Sequence, residues 1–211
     1  MTRDDVVKLL GYRLESREDL AERIHLEMDF VQSTILEEHE WLPWFLESEL
    51  AEAATTPEEW RVPVPEDFLM EMEPSALWIV DAEGVRHELV KKDMDLAVKL
   101  EPGTGLPKYY SLQGEYFYFA PCPDATYSLQ MLYYAKDARM SLANVETRWL
   151  KHAADLVIAC VGRELAEKHI QNDALAASFA NDIGPAWERL LKKQQARIEI
   201  NQSRSMGGDG R

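Results

Sequence analysis

Residues 109–134 read YYSLQGEYFYFAPCPDATYSLQMLYY, and their pattern decides the fold. Tyr127, Leu129, Met131 and Tyr133 alternate with Ser128, Gln130, Leu132 and Tyr134. That period of two places one set of side chains on each face of a strand. Tyr109–Leu112 and Glu115–Phe119 flank Gln113-Gly114, which reads as a turn joining two aromatic strands. Pro121-Cys122-Pro123-Asp124 turns the chain before the last strand.

The same character extends back to about residue 60. Pro102, Gly103, Gly105 and Pro107 form a loop, and residues 91–99 allow one short helix. Leu77–Val80 and Val85–Val90 form a hairpin across Asp81-Ala82-Glu83-Gly84. A strand is expected at about 68–73. Val62-Pro63-Val64-Pro65 reads as extended chain at a sheet edge, because proline cannot donate to a ladder. Residues 47–59 read as a loop with one helical turn.

Both ends carry a helical period instead. Thr2 caps a short helix with Asp4 and Asp5 in its first turn; Val6, Leu9 and Leu10 give it an apolar side, and Gly11 is expected to end it. Ser16 and Asp19 start a second helix, whose stripe is Leu20, Ile24, Met28, Val31 and Ile35. Pro43 stops it, within an aromatic cluster, Leu42-Pro43-Trp44-Phe45-Leu46, that must bury itself. From about 144 a long helix is expected, with Trp149, Ala153, Leu156, Val157, Cys160, Val161, Glu164 and Leu165 near one side. A last helix spans about 172–199, with a kink or break at Gly184-Pro185.

The expected fold is therefore α+β: a helical bundle built from both chain ends, an inserted antiparallel β-hairpin region and a flexible C-terminal tail. The regions are 1–59 (acidic helices), 60–134 (β region), 135–200 (long helices packing on the first) and 201–211 (glycine-rich tail).

Charge is uneven. The net charge is −15, and residues 1–75 alone hold 20 acidic against 6 basic side chains. That half disfavours adhesive nucleic-acid binding, which needs clustered Lys and Arg. A solvated helical surface, a surface that sits near DNA without sticking, and a docking face for a basic partner all fit it. Two cysteines, Cys122 and Cys160, are too few for a secreted disulfide framework. The start Met1-Thr2-Arg3-Asp4-Asp5 lacks a leader pattern, and no run of about 18 apolar residues spans a membrane. The expectation is a soluble protein made in a cytoplasm.

No chemistry-bearing motif stands out. His25 with Glu22 and Asp29 share a helical side, but an acidic helix makes such triplets by chance. His152 with Asp155, and His169 with Asp173, read as surface hydrogen bonds. Gly103-Thr104-Gly105 lacks the lysine of a phosphate loop. Cys122 has no local histidine. The reading is no enzyme, no catalytic residue, no cofactor and no metal.

The order of these features resembles the head-to-tail adaptor (connector) proteins of tailed bacteriophages, especially short-tailed ones, over roughly residues 1–200. The resemblance rests on Leu42–Leu46, Val64-Pro65-Glu66-Asp67-Phe68-Leu69, the hairpin strand Tyr116–Phe119, the Pro121–Asp124 loop, the strand Tyr127–Tyr134 and the helix from near Val145. It implies a structural virion protein of the neck, met in the host cytoplasm during assembly. It further implies a homo-oligomeric ring, a dodecamer beneath the portal protein, that meets tail or nozzle proteins and lets DNA pass without specific binding. The C-terminal segment would dock on the portal through Ile198, Ile200, Arg204, Met206 and Arg211. Subunit or tail interfaces are expected at Trp44, Phe45, Gly84, Gly114, Tyr116 and Tyr118, with intramolecular core as the competing reading for Trp44 and Phe45. The other function that fits the charge is an acidic protein-binding module or nucleic-acid mimic.

Overall fold

The computed structural model describes residues 1–14, 20–50, 53–72, 77–142 and 146–206. The chain divides into two compact units, Met1–Leu46 with Asp137–Arg211, and Glu47–Lys136.

Helix α1 (Arg3–Arg13) opens with a capping box. Thr2 Oγ1 accepts from the Asp5 N–H at 3.3 Å, and the Asp5 carboxylate accepts from the Thr2 N–H at 2.8 Å. The carboxylate also faces the positive end of the helix dipole. Gly11 does not end the helix. The chain stays helical to Arg13, and Leu14 closes it by donating to the Leu10 carbonyl. The Ser16 and Asp19 start signals lie outside the described residues.

Helix α2 (Ala21–Val31) passes directly into a π-helical turn, Gln32–Leu36. Ile24, Met28 and Val31 are buried as the stripe requires, but the stripe then moves from Ile35 to Leu36. A π turn holds one extra residue, so the next inward position arrives one step late. The turn also buries Gln32. Its amide donates to the carbonyls of Asp137 (3.1 Å) and Ala138 (3.2 Å), and its oxygen accepts from the Met140 N–H at 3.0 Å.

The second unit begins with β1 (Glu47–Leu50), where the sequence suggested a loop. Glu47-Ser48-Glu49-Leu50 has little intrinsic strand preference; its antiparallel ladder with a later strand supplies the conformation. Then follow β2 (Arg61–Pro63), β3 (Phe68–Glu71), β4 (Leu77–Val80), β5 (Arg86–Glu88), β6 (Val90–Lys91) and helix α3 (Met94–Leu100). The unit finishes with β7 (Thr104–Gly105), β8 (Tyr109–Gln113), β9 (Tyr116–Ala120), β10 (Cys122–Pro123) and β11 (Ser128–Ala135).

One sheet has the order β1-β11-β4-β5, with β3 also paired to β11; the other runs β2-β9-β8-β6. The Pro-bearing β2 is an edge strand, as its sequence demands. The region is not wholly antiparallel. The return arm of the first hairpin splits at buried Leu89, and β6 leaves β4 to pair parallel with β8. β7 and β10 form a second short parallel pair. On β11, Leu129, Met131, Tyr133 and Ala135 are buried while Ser128 and Leu132 are exposed, which is the alternation read from the sequence. These side chains share one core with Val62, Leu77, Ile79, Leu89, Tyr110, Phe117 and Phe119.

The chain then re-enters the helical unit through α4 (Arg148–His152), α5 (Ala154–Leu165) and α6 (Asp173–Met206). The single long helix expected from about 144 is broken at buried Ala153, whose φ of −138° and ψ of 32° leave the helical region. The start near Val145 lies outside the described residues. A π-helical turn, Ala166–Ile170, follows α5 and ends at Gln171 in the left-handed region. Helix α6 continues through Pro185 without a break. Phe179, Ala186 and Leu190 are buried on either side of exposed Pro185, so packing holds both halves of the helix. The helix also passes the expected end at 199 and reaches Met206. Gly162 on α5 lets α6 approach: a Cβ there would lie 2.4 Å from Cε1 of Phe179. Among the described residues, no helix is long and apolar enough to cross a membrane.

Candidate assembly surfaces

Trp44 and Phe45 lie in a short 3-10 turn, Trp44–Leu46, of the helical unit. Phe45 is buried, edge-on to Trp149 at 5.0 Å and stacked on His152 at 5.2 Å. Its face is spent on the core of its own unit. Trp44 is only half-buried. Its N–H donates to Gln194 Oε1 at 3.1 Å, and the Arg197 guanidinium lies 5.3 Å above its ring.

The surroundings of Trp44 are basic. Burial, then Lys151, Lys193 and Arg197, hold the His152 imidazole below its usual pKa. Among the described residues, neither Lys193 nor Arg197 forms an ion pair. A basic and aromatic patch therefore stands on a strongly acidic chain. Sequence reasoning found Trp44 but missed its partners Gln194 and Arg197, which lie far along the chain. It also missed a neighbouring stack, in which His39 lies on Trp187 at 4.0 Å and Trp41 meets the same ring edge-on at 5.7 Å. A tryptophan at an otherwise polar helical position was the available signal.

The two expected hairpin tips are both exposed turns with a left-handed glycine. Gly84 has φ +80° and follows Asp81, whose Oδ1 accepts from the N–H groups of Glu83 (3.1 Å) and Val85 (2.8 Å). The other oxygen, Oδ2, accepts from His87 Nε2 at 2.8 Å. The His87 hydrogen bond, then those from the backbone, hold the Asp81 carboxyl below its usual range. Gly114 has φ +59° and Glu115 does not, which fits a II′ turn closing β8 on β9.

Tyr116 and Tyr118 on β9 are half-buried, with Arg61 lying 4.5 Å above the Tyr116 ring. Gly114 and Tyr116 are brought together beside a shallow cleft of about 480 Å³, also lined by Pro63, Val64, Pro65 and Phe68. Gly84 does not line it.

Helix α6 runs on through residues 201–206, and the rest of the expected tail lies outside the described residues. From Leu191 to Glu199 no α6 residue is buried, and Ile198 is 49% exposed. Ile200, Arg204 and Met206 continue the same helical backbone, whereas Arg211 lies outside the described residues.

For chemistry, the surfaces offer little. Among the described residues, no three His, Cys, Asp or Glu side chains are placed to hold a metal ion. Asp29, one of the triplet with His25 and Glu22, is engaged by the Ser141 N–H at 3.1 Å and hydroxyl at 2.6 Å. Cys122 and Cys160 are buried free thiols, and burial pushes Cys160 up to about 12.

No curated protein matches the chain. A family model described as SU10 adaptor protein matches residues 1–208, and so the chain belongs to that family of phage head-to-tail adaptors.

Proposed function

We propose that this structural neck protein closes into a homo-oligomeric ring, a dodecamer under the portal, and joins the portal to tail or nozzle proteins while DNA passes through its channel. The observation that carries this reading is the family match across residues 1–208. The exposed end of α6 supports a docking role for the C-terminal segment. An isolated helix in water is marginal, and from Leu191 to Glu199 no residue is buried although Gln194 and Arg197 meet Trp44, so a partner would stabilise the helix that runs on to Met206. The acidic excess of residues 1–75 supports passage without adhesion, since negative side chains repel phosphate.

The test mixes purified chain with cognate portal-containing capsids, full length and truncated after Glu199, and images both by cryo-electron microscopy. A symmetric ring under the portal, lost on truncation, is the expected outcome. A ring that survives truncation keeps the function and rejects the docking role of the tail. No ring with either chain rejects the assembly reading and favours an acidic module that binds a basic partner.

A further inference from the structure

One loop of the sheet unit is built to project. Its near anchor is buried Thr55, whose Oγ1 donates to the Ala125 carbonyl at 3.0 Å and accepts from the Tyr127 N–H at 2.9 Å. Two backbone bonds hold the loop itself: Glu58 N–H to the Pro123 carbonyl at 2.8 Å and Glu59 N–H to the Thr56 carbonyl at 3.1 Å. Its far anchor is buried Val62. Between the anchors every residue from Thr56 to Arg61 is exposed, including Trp60. Glu58 sits at φ +64°, a conformation that side chains rarely adopt, at the tip of this loop. The result is an exposed knob carrying an indole and two carboxylates, of which Glu59 is paired with Arg61 at 3.5 Å and Glu58 stands at the tip.

The patch around Trp44 has the opposite character. It combines a half-buried indole with Arg197 and Lys193, while the third nearby cation, Lys151, is paired with Glu146 at 3.7 Å. Two groups, buried Cys122 and half-buried His152, report the local fields independently. Behind the knob, burial followed by Glu58 and Glu59 raises the Cys122 thiol. Within the patch, burial followed by three cations lowers the His152 imidazole.

We propose that the Glu58–Trp60 knob of one copy docks on the Trp44–Lys193–Arg197 patch of a second copy. Charge complementarity identifies the occupant. A chain of net charge −15 repels its own copies unless local charges of opposite sign face each other, and such pairing also fixes orientation. Tryptophan and arginine at the centre are the side chains that dominate interface energy. Because knob and patch are different surfaces, each copy offers one of each, and the contact is head-to-tail, the kind that closes into rings. DNA fits the patch less well: duplex binding rests on many phosphate contacts, and here a few cations stand on an acidic chain. The inference rests on the ring reading and names the contact that would close the ring.

Two double variants test it: Glu58→Lys with Glu59→Lys, and Lys193→Glu with Arg197→Glu. All four positions are exposed. On portal-containing capsids each double variant is expected to lower ring occupancy about tenfold or more, and the chain carrying all four reversals to restore it. Occupancy unchanged in the double variants, or no rescue by the fourfold reversal, overturns the proposal while leaving the ring intact. Without capsids, mixing the two double variants pairs the intact knob with the intact patch and the reversed knob with the reversed patch. Native mass spectrometry should show oligomers that contain both variants, whereas either variant alone stays monomeric. Such mixed oligomers would support the contact even if wild-type chain formed no ring on the portal, and their absence would count against the contact. Wild-type binding to a short DNA duplex at physiological salt, lost with Lys193→Glu and Arg197→Glu, would reassign the patch to nucleic acid.

Discussion

The two units of this adaptor are closed by opposite means. The sheet unit is one continuous stretch, and its strands meet across short turns: β8 and β9 are separated by two residues, and β4 turns to β5 through Gly84. The helical unit is made from both chain ends, and polar ties join them. Asp29 holds Ser141, Gln32 holds Met140, Arg3 reaches the Ser141 carbonyl at 3.1 Å, and Glu27 accepts from His169 at 2.9 Å. Loop closure makes such distant contacts late and entropically costly, so geometry that is hard to reach is fixed by hydrogen bonds whose loss would leave buried groups unpaired. The sheet unit gathers an apolar and aromatic cluster and adds fewer such ties, Thr55 to Ala125 and Tyr133 to Asp67 among them. Local turns set the register of its two hairpins, and burial supplies much of its stability.

This difference predicts that the units open separately, and each carries a buried thiol that reports the event: Cys122 in the sheet, Cys160 in the helices. The largest effect is expected from Trp149→Ala. Trp149 is fully buried and packs edge-on to Phe45, so its loss should cost about 3–5 kcal/mol. In moderate denaturant, Cys160 should then label much faster while Cys122 keeps its wild-type rate. Equal acceleration at both thiols would mean that the molecule unfolds as one cooperative body, and the contrast would fail.

A smaller effect is expected at the β8–β9 turn. Gly114→Val places a branched side chain at φ +59°, a left-handed conformation that costs about 1–2 kcal/mol. No atom lies within 4 Å of where its Cβ would stand, so the penalty is backbone strain alone. The denaturation midpoint reported by Cys122 should fall and that reported by Cys160 should stay. Gly114→Ala should show most of the same loss, because the strain comes from Cβ itself; a harmless alanine would remove the turn from the account.

What was legible in the sequence follows the same divide. The alternation in β11, the Pro-bearing edge strand β2 and both hairpins are local signals, and the structure carries each of them. The Thr2 cap, with Asp4 and Asp5 in the first turn, is equally local, and the structure adds the reciprocal bond from Asp5. What sequence reading missed depends on partners far away. Glu47-Ser48-Glu49-Leu50 is a strand only because β11 offers a ladder. Leu89 splits the hairpin arm only because the second sheet takes β6 away. The π turn that exchanges Ile35 for Leu36 goes with the Gln32 contacts to residues beyond 136. Pro185 passes through α6 because Phe179 and Leu190 are buried on either side of it. The basic patch is the same kind of miss, since Arg197 meets Trp44 across most of the chain.

The smallest effect expected is a pH dependence confined to the first hairpin. Asp81 is held below its usual carboxyl range by the His87 hydrogen bond, then by the Val85 and Glu83 amides. A carboxyl whose pKa is depressed on folding stabilises the fold above its unfolded pKa, near about 3.9, and that contribution is lost as pH falls through the folded value. Acid should therefore loosen the Asp81–Gly84 turn. The β8–β9 turn, whose left-handed glycine rather than a carboxylate sets its shape, should not follow. Amide chemical shifts of Glu83 and Val85 should move together on acidification through the carboxylate range, while Gly114 stays in place. Asp81→Asn should abolish the transition, because its amide does not titrate. A Val85 shift that persists in that variant would have to come from another carboxylate. Coupled movement of Gly114 would mean that the two hairpins respond as one, and the sheet unit would then be less local in its construction than its short turns imply.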